Sequence, residues 1–459
     1  MGFDAKEMVK SKQAFRRKLA ERPISEKLRI TEDLSERTLA LRPDTSSSPP
    51  DAPWPIPSHW QWKKMGDVAT VVGGGTPATD RKEYFGGDIP WITPADLSKY
   101  TAKAISQGAR NITRAGLDNS GARLLPAGTV LFSSRAPIGY VAIAATSVAT
   151  NQGFKSFVLN KEVTPEFVYY YLQRGRELAL SLASGTTFLE ISAKKAAQIP
   201  IPVPPLDEQE GIVAEIEKQF TRLDAGVASL KQGQTALRRY RASVLKAACE
   251  GQFSHEPISV AIESLDQGWS PKCEPVPSPS DDFWAVIKTS AIQSGRFLED
   301  ENKQLPTTLT PRPHLELHPG DLLITRAGPR ARAGVACLVR STRPRLMLCD
   351  KAYRVRAKQE VADPAFLEIV LNAPHIVDAI DELKTGISDS GVNLTQRGFQ
   401  ELVIPLPPIA EQRRILAGVE RRLSVIEELD ATISAELQRA KRLRQAILQQ
   451  AFQKEPQAT

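Results

Sequence analysis

The residues that could do chemistry are scattered through this chain. Glu301 and Lys303, with Asp281 and Asp282 upstream, have the outline of an acid–lysine set that holds a divalent metal and activates water. They lie in a polar stretch, EDENKQLP, with no strand run around it. His314 and His318 stand four residues apart, but no Glu follows His314 and Pro319 adjoins, which suits a loop histidine better than a zinc ligand. GGG at 73–75 lacks the strand, spacing and downstream acid of a dinucleotide site. Neither Gly-x-x-x-x-Gly-Lys-[Ser/Thr] nor Gly-x-Ser-x-Gly occurs. The cysteines (Cys249, Cys273, Cys337, Cys349) never form Cys-x-x-Cys, which argues against a thiolate metal site or a disulfide framework. No catalytic residue, metal ligand or cofactor is assigned, and the expectation is a chain that binds.

Basic side chains offer that other chemistry. The chain carries 60 Lys+Arg against 53 Asp+Glu, a net charge of +7. Segment 310–358 has eleven Lys/Arg against Glu316, Asp321 and Asp350, and segment 101–160 has six against Asp118. Arginine predominates, and its planar fork suits guanine edges as well as phosphates. Arg135 follows Ser133-Ser134 at a turn between strand-like runs, and Arg326 stands at a similar turn. With Lys155, Arg330, Arg332 and Lys351 these are the candidate DNA-binding residues. SGTTFLEIS (184–192) and SDSGVNLTQ (388–396) place small polar groups before short helices. Ser192 and Thr395 would cap those helices, and Thr186 and Thr187 are further candidates beside a phosphate.

The elements that position these residues are duplicated. IPIPVPPLDEQEGIV (199–213) returns as LVIPLPPIAEQRRIL (402–416), and the 203-residue shift holds without a gap from Ile191/Leu394 to Ala248/Ala451. Upstream the match loosens: TPEFVYYYLQ (164–173) answers DPAFLEIVLN (363–372), and PAGTVLFSS (126–134) answers HPGDLLIT (318–325). Such a long period means two modules, each a variable mixed α/β front and a matched back. The backs read as long helices. Val213, Ile216, Phe220, Leu223, Val227, Leu230, Leu237, Val244 and Ala248 share a heptad register with Leu416, Val419, Leu423, Ile426, Ile433, Leu437, Ala440, Ile447 and Ala451, as a coiled-coil seam requires. Asp430 stands where Val227 does and Gln234 where Leu437 does, which could fix the register. The expected division is a helical leader and Ser/Pro linker over 1–50, fronts over 51–205 and 255–408, and helices over 206–254 and 409–459. Pro-rich stretches at 43–57 and 271–282 read as hinges. No signal peptide or membrane-spanning run occurs, so a cytoplasmic protein without membrane contact is expected.

GDIPWITPADL (87–97), SSRAPIG (133–139), NQGFKSF (151–157), SGTTFLEIS, IPVPPLDEQ (201–209) and LRRYRASVLKAA (237–248) carry a resemblance. Over about residues 55–454 the chain resembles the specificity subunit of type I restriction–modification enzymes. The resemblance implies an α+β fold with an internal pseudo-two-fold repeat. Two mixed α/β target recognition domains would be separated by two long helices forming an antiparallel coiled coil. It also implies a non-catalytic reader of an asymmetric bipartite double-stranded DNA target, one domain per half-site. Such a subunit docks two methyltransferase (modification) subunits and restriction/translocase subunits, which bind S-adenosylmethionine and ATP. The leader would be a partner-docking or bundle-extending helix. A metal-dependent nuclease using Asp282, Glu301 and Lys303, or a coiled-coil scaffold without DNA specificity, are the alternatives.

Overall fold

The computed structural model describes residues 54–135, 137–183 and 189–453. They form two compact units, one of residues up to 222 together with those from 442, the other of residues 223–441. The helical leader expected within residues 1–50 lies outside the described residues.

The first unit closes on itself: strand Gln61–Lys64 pairs antiparallel with Pro200–Val203, just before the long helix. Its main sheet holds β1 (Ala69–Gly73), β2 (Ala104–Ile105), β3 (Val130–Phe132), β4 (Val141–Ala144) and β5 (Lys155–Leu159) in the order β1-β5-β3-β4-β2. The all-apolar β3 is fully buried at its centre. Helix α1 (Pro165–Arg174) starts with proline at its first position, and the Thr164 hydroxyl accepts from Phe167 N. Phe167, Val168, Tyr171 and Leu172 form its buried face. Helix α2 (Leu206–Ala248) then runs for 43 residues without a proline.

The second unit repeats the plan. His255–Pro257 pairs with Val403–Pro405. Strands β6 (Ile262–Gln267), β7 (Leu322–Thr325), β8 (Ala336–Leu338) and β9 (Ala352–Ala357) take the order β6-β9-β7-β8, all antiparallel. Helix α3 (Pro364–Leu371) again opens on proline, capped by Asp363 through Ala365 N, and α4 (Pro374–Glu382) follows. Helix α5 (Ile409–Ala451) matches α2 at 43 residues.

One buried amide in each unit ties front to helix. Gln209, on the first turn of α2, donates from Nε2 to Glu162 O (2.8 Å) and Pro204 O (2.9 Å), while its Oε1 accepts from Thr164 N (2.9 Å). Gln412 does the same in α5, donating to Val361 O (2.9 Å) and Pro407 O (2.8 Å) and accepting from Asp363 N (2.9 Å). Neither has any exposed surface.

The long helices pair antiparallel. In the second unit Gln234 Nε2 donates to Asp430 Oδ1 (3.2 Å) and Arg241 lies 3.5 Å from Glu427, so numbers rise on α2 as they fall on α5. The two polar departures from the seam therefore find each other, a register device of the kind buried polar pairs supply in coiled coils. The expected seam is buried at Ile216, Phe220, Val244, Ala248, Leu416, Val419, Ile426 and Ile447. Between these, Leu223, Val227, Leu230, Leu237, Ile433 and Leu437 are only half-buried. A lone two-helix seam covers one side of each residue and leaves the other to water. At the end of α5, Phe452 enters the first unit, 5.2 Å from the Phe167 ring and 5.4 Å from Tyr171, and its carbonyl accepts from Trp54 Nε1 (3.1 Å).

Segment 271–282 is not a hinge. Glu274 N donates to Gln304 O (3.0 Å), Gln304 N to Val276 O (3.1 Å) and Ser278 N to Asn302 Oδ1 (2.9 Å). Its prolines hold an extended backbone that lies along a strand edge of the second unit, so the composition marks a border strip.

Gln412→Ala leaves buried groups at Asp363 and Pro407 without partners and should cost about 2–3 kcal/mol, read as a lowered melting temperature with Gln209→Ala as its counterpart. Replacing Gln234 and Asp430 by Leu and Val together, the residues their repeat positions carry, should raise thermal stability, whereas Asp430→Val alone should lower it. In native protein, alkylation should spare Cys249 and Cys337, whose thiols burial pushes up to about 12, and modify the half-exposed Cys273 first.

Candidate nucleic-acid interface

The turn after β3 is built from inward-facing hydroxyls. Ser133 Oγ donates to Pro137 O (2.8 Å) and accepts from Tyr140 N (2.8 Å), and Ser134 Oγ donates to Gly153 O (3.1 Å). Both serines are wholly buried. Thr325 takes the place of Ser133 in the second unit: its Oγ1 accepts from Val335 N (3.0 Å) and donates to the Arg332 carbonyl. These hydroxyls hold the turn and do not face a ligand.

Arg135 and Lys155 do converge, but on an acid. Glu190, bridged to the Arg135 backbone, brings its carboxylate within 3.6 Å of Arg135 Nη1 and 3.3 Å of Lys155 Nζ. In the repeat Arg326 takes the place of Ser134, while Ala327, Asn393 and Tyr353 stand where Arg135, Glu190 and Lys155 do, so one cation remains and the acid is gone. Arg326 donates to Asp350 O (2.7 Å) and Asn393 Oδ1 (2.9 Å), with its guanidinium 5.6 Å from the Tyr353 ring. Small caps recur as well: Ser192 accepts from Lys195 N and Thr395 from Gly398 N.

Most of the basic excess is paired inside the fold. Arg330 meets Asp381 (2.8 Å) and Asp389 (3.3 Å), and the Lys384 ammonium and then Arg330 hold the Asp381 carboxyl below its usual range. Arg332 donates to Gln293 Oε1 (3.1 Å), Thr289 O (2.7 Å) and Ile292 O (2.9 Å). Arg340 pairs with Glu368 at 2.6 Å, and Arg354 with Asp266 at 2.8 Å. Counting charges along segment 310–358 missed this, because the acids come from distant segments. Lys351 stays exposed. Thr186 and Thr187 lie outside the described residues.

The acid–lysine set does not assemble. Glu301 accepts from Ser290 Oγ (2.6 Å) and lies 3.5 Å from Lys288 Nζ, and these two hold its carboxyl below the usual range. Asp281 and Asp282 face Arg343 (3.9 Å) and Arg345 (3.7 Å). Among the described residues no group of three or more His, Cys, Asp and Glu is placed to hold a metal ion.

Among the described residues four arginines outside the candidate set lie on ring faces, and two of them, Arg110 and Arg312, are exposed. The Arg110 guanidinium lies 4.4 Å above Phe85, and that of Arg312 lies 4.2 Å above Trp269. Each ring is far from its arginine in sequence, so no local motif announces the pairing.

Residues 57–232 match the family described as the type I restriction modification DNA specificity domain. The specificity subunit of the type I restriction enzyme EcoEI of Escherichia coli is 38% identical over 190 residues, 41% of this chain and 32% of that relative. That of MjaIX from Methanocaldococcus jannaschii is 44% identical over 159 residues, 34% of this chain and 37% of the relative. The chain therefore spans about a third of the length of these curated relatives. A structure solved in work on complex assembly and conformational transition of the type I R-M system superposes with a TM-score of 0.66, covering 87% of this chain and 99% of that one at 19% identity, and shares the fold. The resemblance read from the sequence motifs is borne out, as is the fold class of two mixed α/β fronts with two long antiparallel helices.

Arg326→Ala and Arg332→Ala each strip partners from buried or half-buried carbonyls and should destabilise the second unit by about 2–3 kcal/mol. Lys351→Ala should change the melting temperature by no more than a surface substitution does; calorimetry of the three variants separates structural from free cations.

Proposed function

We propose that this chain is the DNA-specificity subunit of a type I restriction–modification complex, each α/β unit reading one half of an asymmetric bipartite duplex target. One observation carries the reading. Residues 57–232 match a DNA specificity domain, and the second unit rebuilds the same closure, glutamine tie, hydroxyl-held turn and long helix around different surface side chains. A shared scaffold with divergent fronts suits two half-sites of like geometry and unlike bases. Helices of 43 residues, about 65 Å at 1.5 Å per residue, suit a fixed gap between the halves.

In this reading the chain recognises DNA and does no chemistry. Methylation and cleavage fall to two methyltransferase subunits and to restriction/translocase subunits, which hold S-adenosylmethionine and ATP. The work takes place in the cytoplasm, where the cell's DNA is; among the described residues no helix is long and apolar enough to cross a membrane. The five segments bounded at 50, 205, 254 and 408 serve as its functional map, with the leader as a docking element. Neither alternative gains an observation: among the described residues the nuclease's acids do not assemble into a cluster, and a pure scaffold gives no role to two elaborate fronts.

Methylome sequencing of cells with and without this chain and its modification subunits should reveal one added motif with two different halves and a constant gap. A palindromic motif, or none, would defeat the proposal. Duplex binding should also weaken steeply as salt rises, measured by fluorescence anisotropy; a flat salt response would favour the scaffold.

A further inference from the structure

We infer that guanine reading in each front falls to an arginine laid on an aromatic ring, Arg110 on Phe85 in the first unit and Arg312 on Trp269 in the second. The inference rests on the DNA-reading role proposed above and names the residues that perform it.

Consider first what a base-reading arginine needs. Its five N–H groups must stay unclaimed while its plane is held, since a carboxylate partner uses the same donors a guanine edge requires. A ring face supplies that hold: cation–π contact orients the guanidinium and leaves its edge free. Arg135, Arg326, Arg330 and Arg332 fail this requirement, each being bonded to Glu190, Asn393, Asp381 or backbone carbonyls. Arg110 and Arg312 are exposed, and neither has a carboxylate partner among the described residues. Near Arg110 the contrast is local, because Arg114 is already taken by Asp118 at 3.0 Å.

The surroundings of Arg110 fit a base edge. It borders an open cleft of about 350 Å³ whose walls include Phe85, Gly86, Gly87, Gln107 and Asn111. Arg, Gln and Asn are the side chains whose donor and acceptor patterns match purine edges. Asn111 Oδ1 is buried and has no hydrogen-bond partner, an acceptor that the fold itself leaves unused. Strand Phe85–Ile92 pairs with residues 110–112, and the register jumps from Phe85↔Ile112 to Ile89↔Ile112. Residues 86–88 therefore bulge, a device that redirects side chains beside binding sites. Gly86 adopts φ +83°, and at Gly87 a β-carbon would lie 2.6 Å from Thr113 Cα, so the bulge needs both glycines.

The second front is built differently. Pro311 and Pro313 flank Arg312 and stiffen its backbone, and Arg312 N donates to Met347 Sδ (3.3 Å). Trp269 N donates to Leu348 O (3.0 Å), which fixes the ring beside the strand leading to the exposed Lys351. One front thus offers an arginine within an amide-lined cleft, the other an arginine with a lysine close along the chain, so the two halves should differ in bases read.

The test selects duplexes from a random-sequence pool with the full-length chain in its purified complex. Wild type should enrich a bipartite motif. Arg110→Ala should cut the preference for one guanine in one half by about tenfold to a hundredfold, and Arg312→Ala should do so only in the other half. Arg110→Lys should keep affinity and salt dependence yet lose the same preference, since a point charge cannot make the bidentate contact. An unchanged melting temperature establishes that each variant is folded. Variant motifs identical to the wild-type motif overturn the assignment. So does a uniform loss of affinity with a salt slope lower by about one, the mark of a phosphate contact. A wild-type complex that enriches no motif defeats the DNA-reading role itself, and the assignment with it.

Discussion

Gln209 and Gln412 are side-chain amides shut away from water, and each reaches three stretches of chain at once: the loop before a short helix, the cap of that helix, and the proline corner that starts a long one. Only a carboxamide does this, because the site demands two donated bonds and one accepted bond from a single group; a carboxylate could not donate and an ammonium could not accept. Burial makes the demand strict, since any bond left unmade costs the full desolvation of its partner. The direction in which each helix leaves its front is set at this amide. The antiparallel seam, and whatever the fronts present to a ligand, follow from that direction.

The framework was readable in the sequence because it is written in near neighbours and repeats. The 203-residue shift, the heptads and the caps at Ser192 and Thr395 are all such patterns, and all correspond to observed elements. Even the Gln234–Asp430 bond was foreshadowed by two polar residues in an apolar register. The surface chemistry was not readable in the same way. Whether an arginine is free depends on acids brought from far along the chain, as Asp389 is to Arg330 and Glu190 to Arg135. Ser133 and Ser134 looked like surface turn residues because the chain reverses there, yet the sheet takes both hydroxyls inward. The prolines of 271–282 misled for a related reason: composition reports an extended backbone, and only the fold decides whether a strand lies beside it.

Duplication has left the two units unequal where front meets helix. In the first unit Glu217 accepts from Lys103 Nζ (2.6 Å) and Tyr170 OH (3.3 Å), while Tyr170 packs on Phe220 and Arg444 covers that ring at 4.1 Å. The repeat replaces Tyr169, Tyr170 and Phe220 by Glu368, Ile369 and Leu423. With those rings gone, the second unit has an open groove of about 850 Å³ instead. Buried Glu368 is satisfied there by Leu338 N and the Arg340 guanidinium, each at 2.6 Å. Bulk in one copy has become charge and space in the other, with the glutamine ties unchanged.

Phe452 completes the aromatic cluster of a unit whose other rings in that cluster, Phe167 and Tyr171, are synthesised before residues 223–441. Translation therefore delivers that cluster in two instalments, and its interior stays open until the ribosome has passed through the whole of residues 223–441. At ordinary elongation rates the wait is roughly ten to forty seconds. During it Phe167 and Tyr171 lack the Phe452 ring, so the nascent first domain depends on chaperones or on its own solubility until that residue arrives.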